Sequence, residues 1–224
     1  MLGAVLMATA ATVVPVHRET IGRSVSGRAI VAVAVGDPEA KTKVLVVGCI
    51  HGNEAAGIAI ALRLERMIPP EDVQLWIIPD LNPDGHAANT RQNAHGVDLN
   101  RNWPTGWHSH RGGPFDSGPR PLSELETRAA HRLILRIHPD VSVWYHQHLR
   151  LVDESGGEVW IERRYAQLVG LPARRLSLLP GTAVRWENAR ISGSTAFVVE
   201  LPAGRLSNAA VARYARAVRV ISSA

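Results

Sequence analysis

This chain of 224 residues has few cysteines, no long charge runs and no repeats, and each absence excludes some classes of protein. There is one cysteine, Cys49, so no intrachain disulfide can form, and its apolar surroundings predict a small buried side chain. No charge run, repeat or low-complexity linker divides the sequence, which favours one substantial domain. The net charge is +5, but the arginines are scattered rather than gathered in a stripe with aromatic residues. A nucleic-acid partner is therefore not expected.

The N-terminal segment, residues 1–16, is almost wholly apolar and is too short to span a bilayer comfortably. It resembles the apolar core and small-residue cleavage region of a secretory signal. The first basic residue is Arg18, however, so the positive start of such a signal is missing, and a structural strand is the alternative. We expect a signal-like segment over residues 1–16, one domain over residues 17–224, and no stable membrane span.

Strand-like and helix-like runs alternate along the chain. The strand-like runs cover residues 29–36, 44–50, 73–81, 141–147 and 195–201. The helix-like runs cover residues 54–67, 123–137, 158–169 and 207–221, and Ser123 with Glu126 forms a capping-box signature. This order predicts a largely parallel sheet covered on both faces. In such sheets ligands bind beyond the carboxyl ends of the strands.

The stretch His51-Gly52-Asn53-Glu54 stands where an apolar strand-like run gives way to a helix-like run. Imidazole and carboxylate both bind zinc, and a catalytic zinc takes three protein ligands plus water. His51 and Glu54 alone are weak evidence for a metal site, because an acidic residue in the first turn of a helix is favourable in any protein. A third ligand and a general base have to come from elsewhere in the chain.

Two later strand ends supply candidates for these roles. His146 and His148 lie at the end of one strand-like run, and a period of two puts both on the same face. Alternation therefore does not decide which of them binds a metal. Glu200 ends another apolar run, where a carboxylate is costly unless it is paired, functional or able to reach solvent at an edge.

Between residues 82 and 104 the sequence is dense in turn formers and predicts a loop. This stretch contains Arg91 and Arg101 together with several amides. Arginine offers a planar fork that matches a carboxylate, so the loop is a candidate anion-binding segment. The alternative is a solvated polar loop, although Trp103 and Trp107 argue against disorder.

Together these segments resemble the zinc carboxypeptidase family, the M14 metallopeptidases, over about residues 22–204. The matching pieces occur in the family's order: His51-Gly52-Asn53-Glu54, Asn82-Pro83-Asp84-Gly85, residues 96–104, His146 and Glu200. The resemblance implies an α/β domain with a mixed, mostly parallel twisted sheet of about eight strands and helices on both faces. The compact length and the ending over residues 197–202 look most like the bacterial murein peptide amidases, which cleave the γ-D-glutamyl–diaminopimelate bond.

The resemblance implies a role for each matching residue at the metal. His51, Glu54 and His146 would hold one Zn²⁺ per chain. Asp98 would accept a hydrogen bond from a ligand imidazole, that of His51, and would fix its orientation. Glu200 would be the general base and proton shuttle.

The resemblance also implies how the substrate is held. Arg91 would bind substrate and stabilise the oxyanion, and Asn100 and Arg101 would hold the terminal carboxylate. One departure from the family is plain, because residues 171–200 contain no tyrosine to fill the role of the mobile-loop tyrosine found in digestive members. Arg185 in that stretch is a candidate for binding an acidic substrate group.

The implied function is hydrolysis of a C-terminal amide bond in a peptide with a free C-terminal carboxylate, in particular a muropeptide. An exported or cell-wall-associated enzyme fits that substrate, and a cytoplasmic enzyme that recycles imported wall peptides is the alternative. Two other functions stay open: a zinc deacylase of N-acyl amino acids, like aspartoacylase and succinylglutamate desuccinylase, and a wall-peptide-binding module without activity. The sequence does not indicate the oligomeric state.

Overall fold

An eight-stranded sheet runs through the part of the chain that the computed structural model describes, residues 14–177 and 179–223. The strands are β1 (Val16–Arg23), β2 (Ala29–Val35), β3 (Thr42–Val47), β4 (Val73–Ile78), β5 (Val141–Gln147), β6 (Leu151–Asp153), β7 (Ala173–Arg174) and β8 (Thr195–Leu201). Their spatial order is β1-β2-β4-β3-β5-β8-β6-β7. Four neighbouring pairs are parallel and three are antiparallel.

Helices cover both faces of this sheet, as expected. They are α1 (Ala56–Leu64), α2 (Pro83–Ala88), α3 (Leu125–Ile137), α4 (Val159–Val169), α5 (Ala183–Arg190) and α6 (Asn208–Ile221), with a 3-10 turn at Leu99–Arg101. Buried side chains of α1, α4 and α6 pack in one apolar core, and those of α3 and α5 pack in a second core on the opposite face. The central strands β3, β5 and β8 contribute to both cores, which explains their nearly continuous apolar sequences.

The parallel register of the central strands brings the candidate residues to one edge of the sheet. Strand β3 pairs with β5, and β5 pairs with β8, so that all three strands end at the same edge. His146 and Glu200 are direct neighbours across the β5–β8 ladder. The loop from β3 to α1 carries His51 and Glu54 to the same place. The site therefore lies beyond the carboxyl ends of the strands.

Several elements differ from the sequence-based expectation. Strands β1, β6 and β7 and helix α5 were not expected, and β3 ends at Val47 rather than at residue 50. Within the stretch expected to be a loop, α2 and the 3-10 turn are helical. Helix α2 forms because the Asn82 side chain accepts a hydrogen bond from the Gly85 amide at 3.0 Å, and because Pro83 suits a first helical position.

The expected capping box at the start of α3 is wrong. The N-cap residue is Glu124, and no side chain caps the helix. The Ser123 hydroxyl instead donates to Glu124 Oε1 at 2.6 Å, and Glu126 Oε2 accepts from Asn93 Nδ2 at 3.1 Å. The Ser123 hydroxyl also accepts from Asn102 Nδ2 at 2.9 Å, so both capping candidates are engaged in tertiary contacts. Ser207 does cap α6, through the Ala210 amide at 3.2 Å.

Most of the signal-like segment, residues 1–16, lies outside the described residues, and Val16 already opens β1. Among the helices described, none has the length and apolar character needed to cross a membrane. Cys49 is fully buried, as predicted.

A buried carboxyl on α4 gives the fold a pH dependence. Burial, followed by the charges of Asp153 and Glu154, raises the pKa of Glu162 to about 8, from an ordinary value of 4.5. Between these two values the native state binds more protons than the unfolded chain, so the stability contributed by this group falls as pH rises. We expect Glu162→Gln to melt at a higher temperature than the parent protein near pH 9 and at a similar temperature near pH 4.

The measurement is thermal unfolding across this pH range, with Glu158→Gln as the control at an exposed glutamate beside the same helix. Parallel melting curves for the parent and Glu162→Gln at every pH would contradict the expected burial cost.

Candidate metal centre and active site

The turn after β3 holds His51 and Glu54 on the same side of the chain. The Glu54 amide donates to the His51 carbonyl oxygen at 2.9 Å, which closes the turn. Gly52 lies within this turn and packs directly on α2, where a Cβ atom would approach the Gly85 carbonyl carbon to 1.9 Å. Only glycine fits there, so the packing of α2 fixes the position of the turn.

Three donor atoms converge at the edge of the sheet. His51 Nδ1 lies 3.0 Å from Glu54 Oε2, His146 Nδ1 also lies 3.0 Å from Glu54 Oε2, and the two Nδ1 atoms are 3.1 Å apart. All three residues are buried. His148 is exposed and is not part of this cluster, so the fold favours His146 over His148 as the third donor.

The hydrogen bond from His51 to Asp98 leaves the donor set suited to a cation. His51 donates its Nε2–H to Asp98 Oδ1 at 3.0 Å, because a carboxylate only accepts. When the His51 ring is neutral, its proton is on Nε2, and Nδ1 presents a lone pair toward the other two donor atoms. When the ring is protonated, Nδ1–H donates to Glu54 instead. A tetrahedral zinc with bonds of about 2.0–2.1 Å places its ligands roughly 3.3 Å apart, close to the spacing seen here. The grouping of His51, Glu54 and His146 is compatible with a metal site.

Arg91 ties two carboxylates of the site together. Its Nη1 donates to Glu54 Oε1 at 2.9 Å, and its Nε donates to Asp98 Oδ2 at 3.0 Å. Burial opposes ionisation of Glu54, but hydrogen bonds to His146 and His51 hold its pKa well below the usual value. Burial likewise opposes ionisation of Asp98. The interactions with His51, and to a smaller extent with Arg91, nevertheless hold the pKa of Asp98 well below its usual range. Both carboxylates are therefore charged at neutral pH.

Burial and charge have opposite effects on His51. Burial favours the neutral imidazole, but the charges of Asp98 and Glu54 outweigh it and raise the pKa of His51. A proton and a metal ion thus compete for the same ring, as they do for most histidine ligands.

Glu200 faces the cluster from the neighbouring strand. It is only partly buried, and its Oε2 accepts a hydrogen bond from the Leu149 amide at 3.2 Å. Glu200 lines the same cavity as His51 and Glu54. A second acid therefore shares the cavity with the donor set.

The 3-10 turn places Asn100 and Arg101 at the cavity. The Asn100 Oδ1 atom accepts from the Ala183 amide at 2.9 Å, and its Nδ2 atom lies 3.5 Å from His146 Nε2. Arg101 Nη1 donates to the Asn100 carbonyl oxygen at 2.7 Å. Arg185, in contrast, is not among the residues that line this cavity, and its guanidinium packs against Gly106.

The cavity has a volume of about 280 Å³. The candidate polar residues form one part of its wall, and aliphatic side chains form another. The residues that line it are His51, Glu54, Arg91, Asn100, Arg101, His146, Gln147, His148, Leu149, Asp153, Ser155, Leu176, Ser177, Leu179, Thr182, Val184, Val198 and Glu200. All the residues that the family resemblance assigns to metal or substrate line it, whereas Arg185 does not, and Asp98 lies directly behind it on His51.

Gln147 is a positioning residue that the sequence did not reveal. Its amide donates to Glu54 Oε2 at 3.1 Å, and its side-chain Oε1 accepts from the Ala56 amide at 3.0 Å. Its Nε2 donates to the carbonyl oxygens of Pro202 and Gly204. Gln147 thus links the turn that carries His51 and Glu54 to the segment just after β8. No local pattern distinguishes it from an ordinary strand residue.

Comparison with known proteins agrees with this geometry. The family model described as zinc carboxypeptidase matches residues 7–152. The chain belongs to the zinc carboxypeptidase family. Murein peptide amidase A of Escherichia coli (strain K12) is 28% identical over 193 residues, which are 80% of this chain and 76% of that protein. The human carboxypeptidase N catalytic chain is 32% identical, over 50% of this chain and 33% of its own length.

Solved structures of this family show the same fold. Murein-tripeptide amidase from Escherichia coli O157 superposes with a TM-score of 0.74 and 26% identity, over 94% of this chain and 93% of that chain. Carboxypeptidase A from Helicoverpa armigera superposes with a TM-score of 0.77 and 18% identity, over 93% and 70% of the two chains. The resemblance stated from sequence is thus confirmed, and the chain is a metallocarboxypeptidase in class.

A pair of histidine variants tests the donor set. His146→Ala removes one of three converging donors, so zinc affinity is expected to fall by more than the roughly 10- to 100-fold typical of losing an outer hydrogen-bond partner. His148→Ala, two residues away, is expected to keep full zinc stoichiometry. Elemental analysis and competition with a chelating dye measure both. Full zinc in His146→Ala, or loss in His148→Ala, would contradict the assignment.

The Asp98 contact has its own test. Asp98→Asn removes the charge that orients His51 and pairs with Arg91, and zinc affinity is expected to fall roughly 10- to 100-fold. Competition titration measures the change, with the exposed-acid variant Glu39→Gln as the control. Unchanged affinity in Asp98→Asn would show that the orientation of His51 does not depend on this contact.

Proposed function

We propose that this protein is a zinc-dependent hydrolase that cleaves a C-terminal amide bond in cell-wall (murein) peptides. The observation that carries the proposal is the convergence of His51, Glu54 and His146 in one cavity that also contains Glu200. The similarity to murein peptide amidases over most of the chain supports the choice of substrate class.

His51, Glu54 and His146 would hold the zinc. When bound there, zinc supplies a Lewis acid and lowers the pKa of a water molecule toward neutrality. Glu200 takes a proton from the attacking water and later gives it to the leaving amine. Its hydrogen bond from the Leu149 amide keeps the carboxylate in place between these two transfers.

Arg91 would stabilise the negative charge that develops on the scissile carbonyl oxygen. Its Nη1 and Nε atoms are committed to Glu54 and Asp98, which fixes the plane of the guanidinium. A guanidinium has five N–H donors, so others remain for the substrate. Such a preorganised cation costs no reorganisation during the reaction.

Asn100 and Arg101 would bind the terminal carboxylate of the substrate. Both line the cavity, and the hydrogen bond from Arg101 to the Asn100 backbone keeps them adjacent. Anchoring the chain end there holds the last amide bond of the peptide at the metal. Export of the enzyme to the wall, where such peptides occur, stays a prediction.

The Glu200→Gln variant tests whether the protein is an enzyme that uses Glu200 or only a binding module. The change removes the proton acceptor but keeps the shape of the side chain, so muropeptide turnover is expected to fall by roughly 10²- to 10⁴-fold. Zinc content and thermal stability are expected to be unchanged. The measurement is mass analysis of tripeptide and tetrapeptide wall fragments after digestion, together with metal analysis.

Three outcomes decide between the functions. Equal turnover by both proteins would remove Glu200 from the mechanism. Hydrolysis of N-acyl amino acids in place of wall peptides would identify a deacylase. Zinc-dependent binding of muropeptides without cleavage by the parent protein would identify a binding module.

A further inference from the structure

An exposed aromatic side chain lies over the two arginines that are predicted to bind the substrate. The ring of Phe115 is 47% exposed. Its centroid lies 5.3 Å from Arg91 Cζ and 5.5 Å from Arg101 Cζ. A guanidinium within about 6 Å of a ring centroid is attracted by the negative face of the ring. Single exposed apolar residues are common on protein surfaces, so the contact with both cations, rather than the exposure, distinguishes Phe115.

The loop that carries Phe115 is tied on both sides to the segment that carries these arginines. Before the ring, Gln92 Nε2 donates to the Gly113 carbonyl oxygen at 3.2 Å. After the ring, the Asp98 amide donates to the Asp116 carbonyl oxygen at 2.8 Å. These bonds fix the backbone around an exposed residue, so the Phe115 side chain has a defined position over the arginines.

The two arginines differ in how they are held. Arg91 donates to the carboxylates of Glu54 and Asp98. Within the described residues, Arg101 takes part in no ion pair, and its only side-chain hydrogen bond goes to the Asn100 carbonyl oxygen. The aromatic ring is therefore a larger share of the contacts that hold Arg101 than of those that hold Arg91.

Arg101 also has space to move away from the substrate. It lines the cavity that contains the donor cluster, and together with Phe115 and Leu179 it lines a neighbouring cavity of about 280 Å³. The positive charge of Arg91 acts against that of Arg101, which favours separation of the two guanidinium groups. The ring opposes this separation, because its negative face attracts both cations.

We propose that Phe115 is a positioning residue that holds the Arg101 guanidinium where the terminal carboxylate of the substrate binds. This inference rests on the proposed function, in which Arg101 binds that carboxylate. Arg91 is held by its two carboxylate partners independently of the ring. The effect of Phe115 is therefore on substrate binding rather than on the chemical step.

The test compares Phe115→Leu, which keeps an apolar side chain but removes the aromatic ring, with Phe115→Tyr, which keeps the ring. For a wall tripeptide with a free C-terminal carboxylate, KM in Phe115→Leu is expected to rise roughly 3- to 30-fold, the range for a cation–π contact. The value of kcat is expected to stay unchanged, because the metal donors and Glu200 are untouched. Phe115→Tyr is expected to match the parent protein in both constants.

Two controls separate positioning from a general effect on the cavity. The same tripeptide with a C-terminal carboxamide has no carboxylate for Arg101, so Phe115→Leu and the parent protein are expected to cleave it at equal rates. Leu135→Ala removes another exposed apolar side chain, on α3, and is expected to leave KM unchanged. Calorimetric titration of the tripeptide onto Glu200→Gln, with and without Phe115→Leu, measures the binding step directly.

Several outcomes overturn the inference. An unchanged KM in Phe115→Leu would refute it, as would an equal loss of affinity in Phe115→Tyr. Slower cleavage of the carboxamide peptide by Phe115→Leu would also refute it, because the ring would then act on the cavity as a whole. If the parent protein cleaves no wall peptide and Glu200→Gln binds none, the proposed function itself fails, and the role of Phe115 falls with it.

Discussion

The site depends on the convergence of three donor atoms, which a shared proton or a metal ion can hold together. His51 Nδ1, His146 Nδ1 and Glu54 Oε2 lie within 3.1 Å of each other in buried surroundings. Asp98 accepts the opposite N–H of the His51 ring, and Arg91 bridges Asp98 to Glu54. The surrounding polar groups therefore hold the donors in place, which is how outer hydrogen bonds tune a metal site.

The sheet supplies the rigidity that this convergence requires. Parallel pairing of β3, β5 and β8 brings three distant parts of the chain to one edge, and apolar cores on both faces fix the strands. The segments that follow these strands then add the other residues that line the cavity. The scaffold thus fixes the positions of the donor atoms, and the segments at this edge of the sheet supply the other residues of the cavity.

Much of the fold could be predicted because its signals are local. The ends of β5 and β8 were predicted to the residue, since buried β-branched runs closed by polar residues or proline are distinctive. The short strands β6 and β7 were missed because three and two residues carry no detectable period. The capping box at Ser123 failed for a different reason. Tertiary partners compete for both of its side chains, and no local pattern reveals them.

By itself, the sequence determined the kinds of donor, their order along the chain and the strand ends that bring them together, because residue type and hydrophobic period are properties of short segments. It also determined the family resemblance. Only the tertiary structure placed His146 rather than His148 in the cluster of donor atoms, engaged Gln147 with Glu54 and left Arg185 outside the lining of the cavity. These outcomes depend on distances between residues far apart in the chain, and such distances are set by packing rather than by spacing along the sequence.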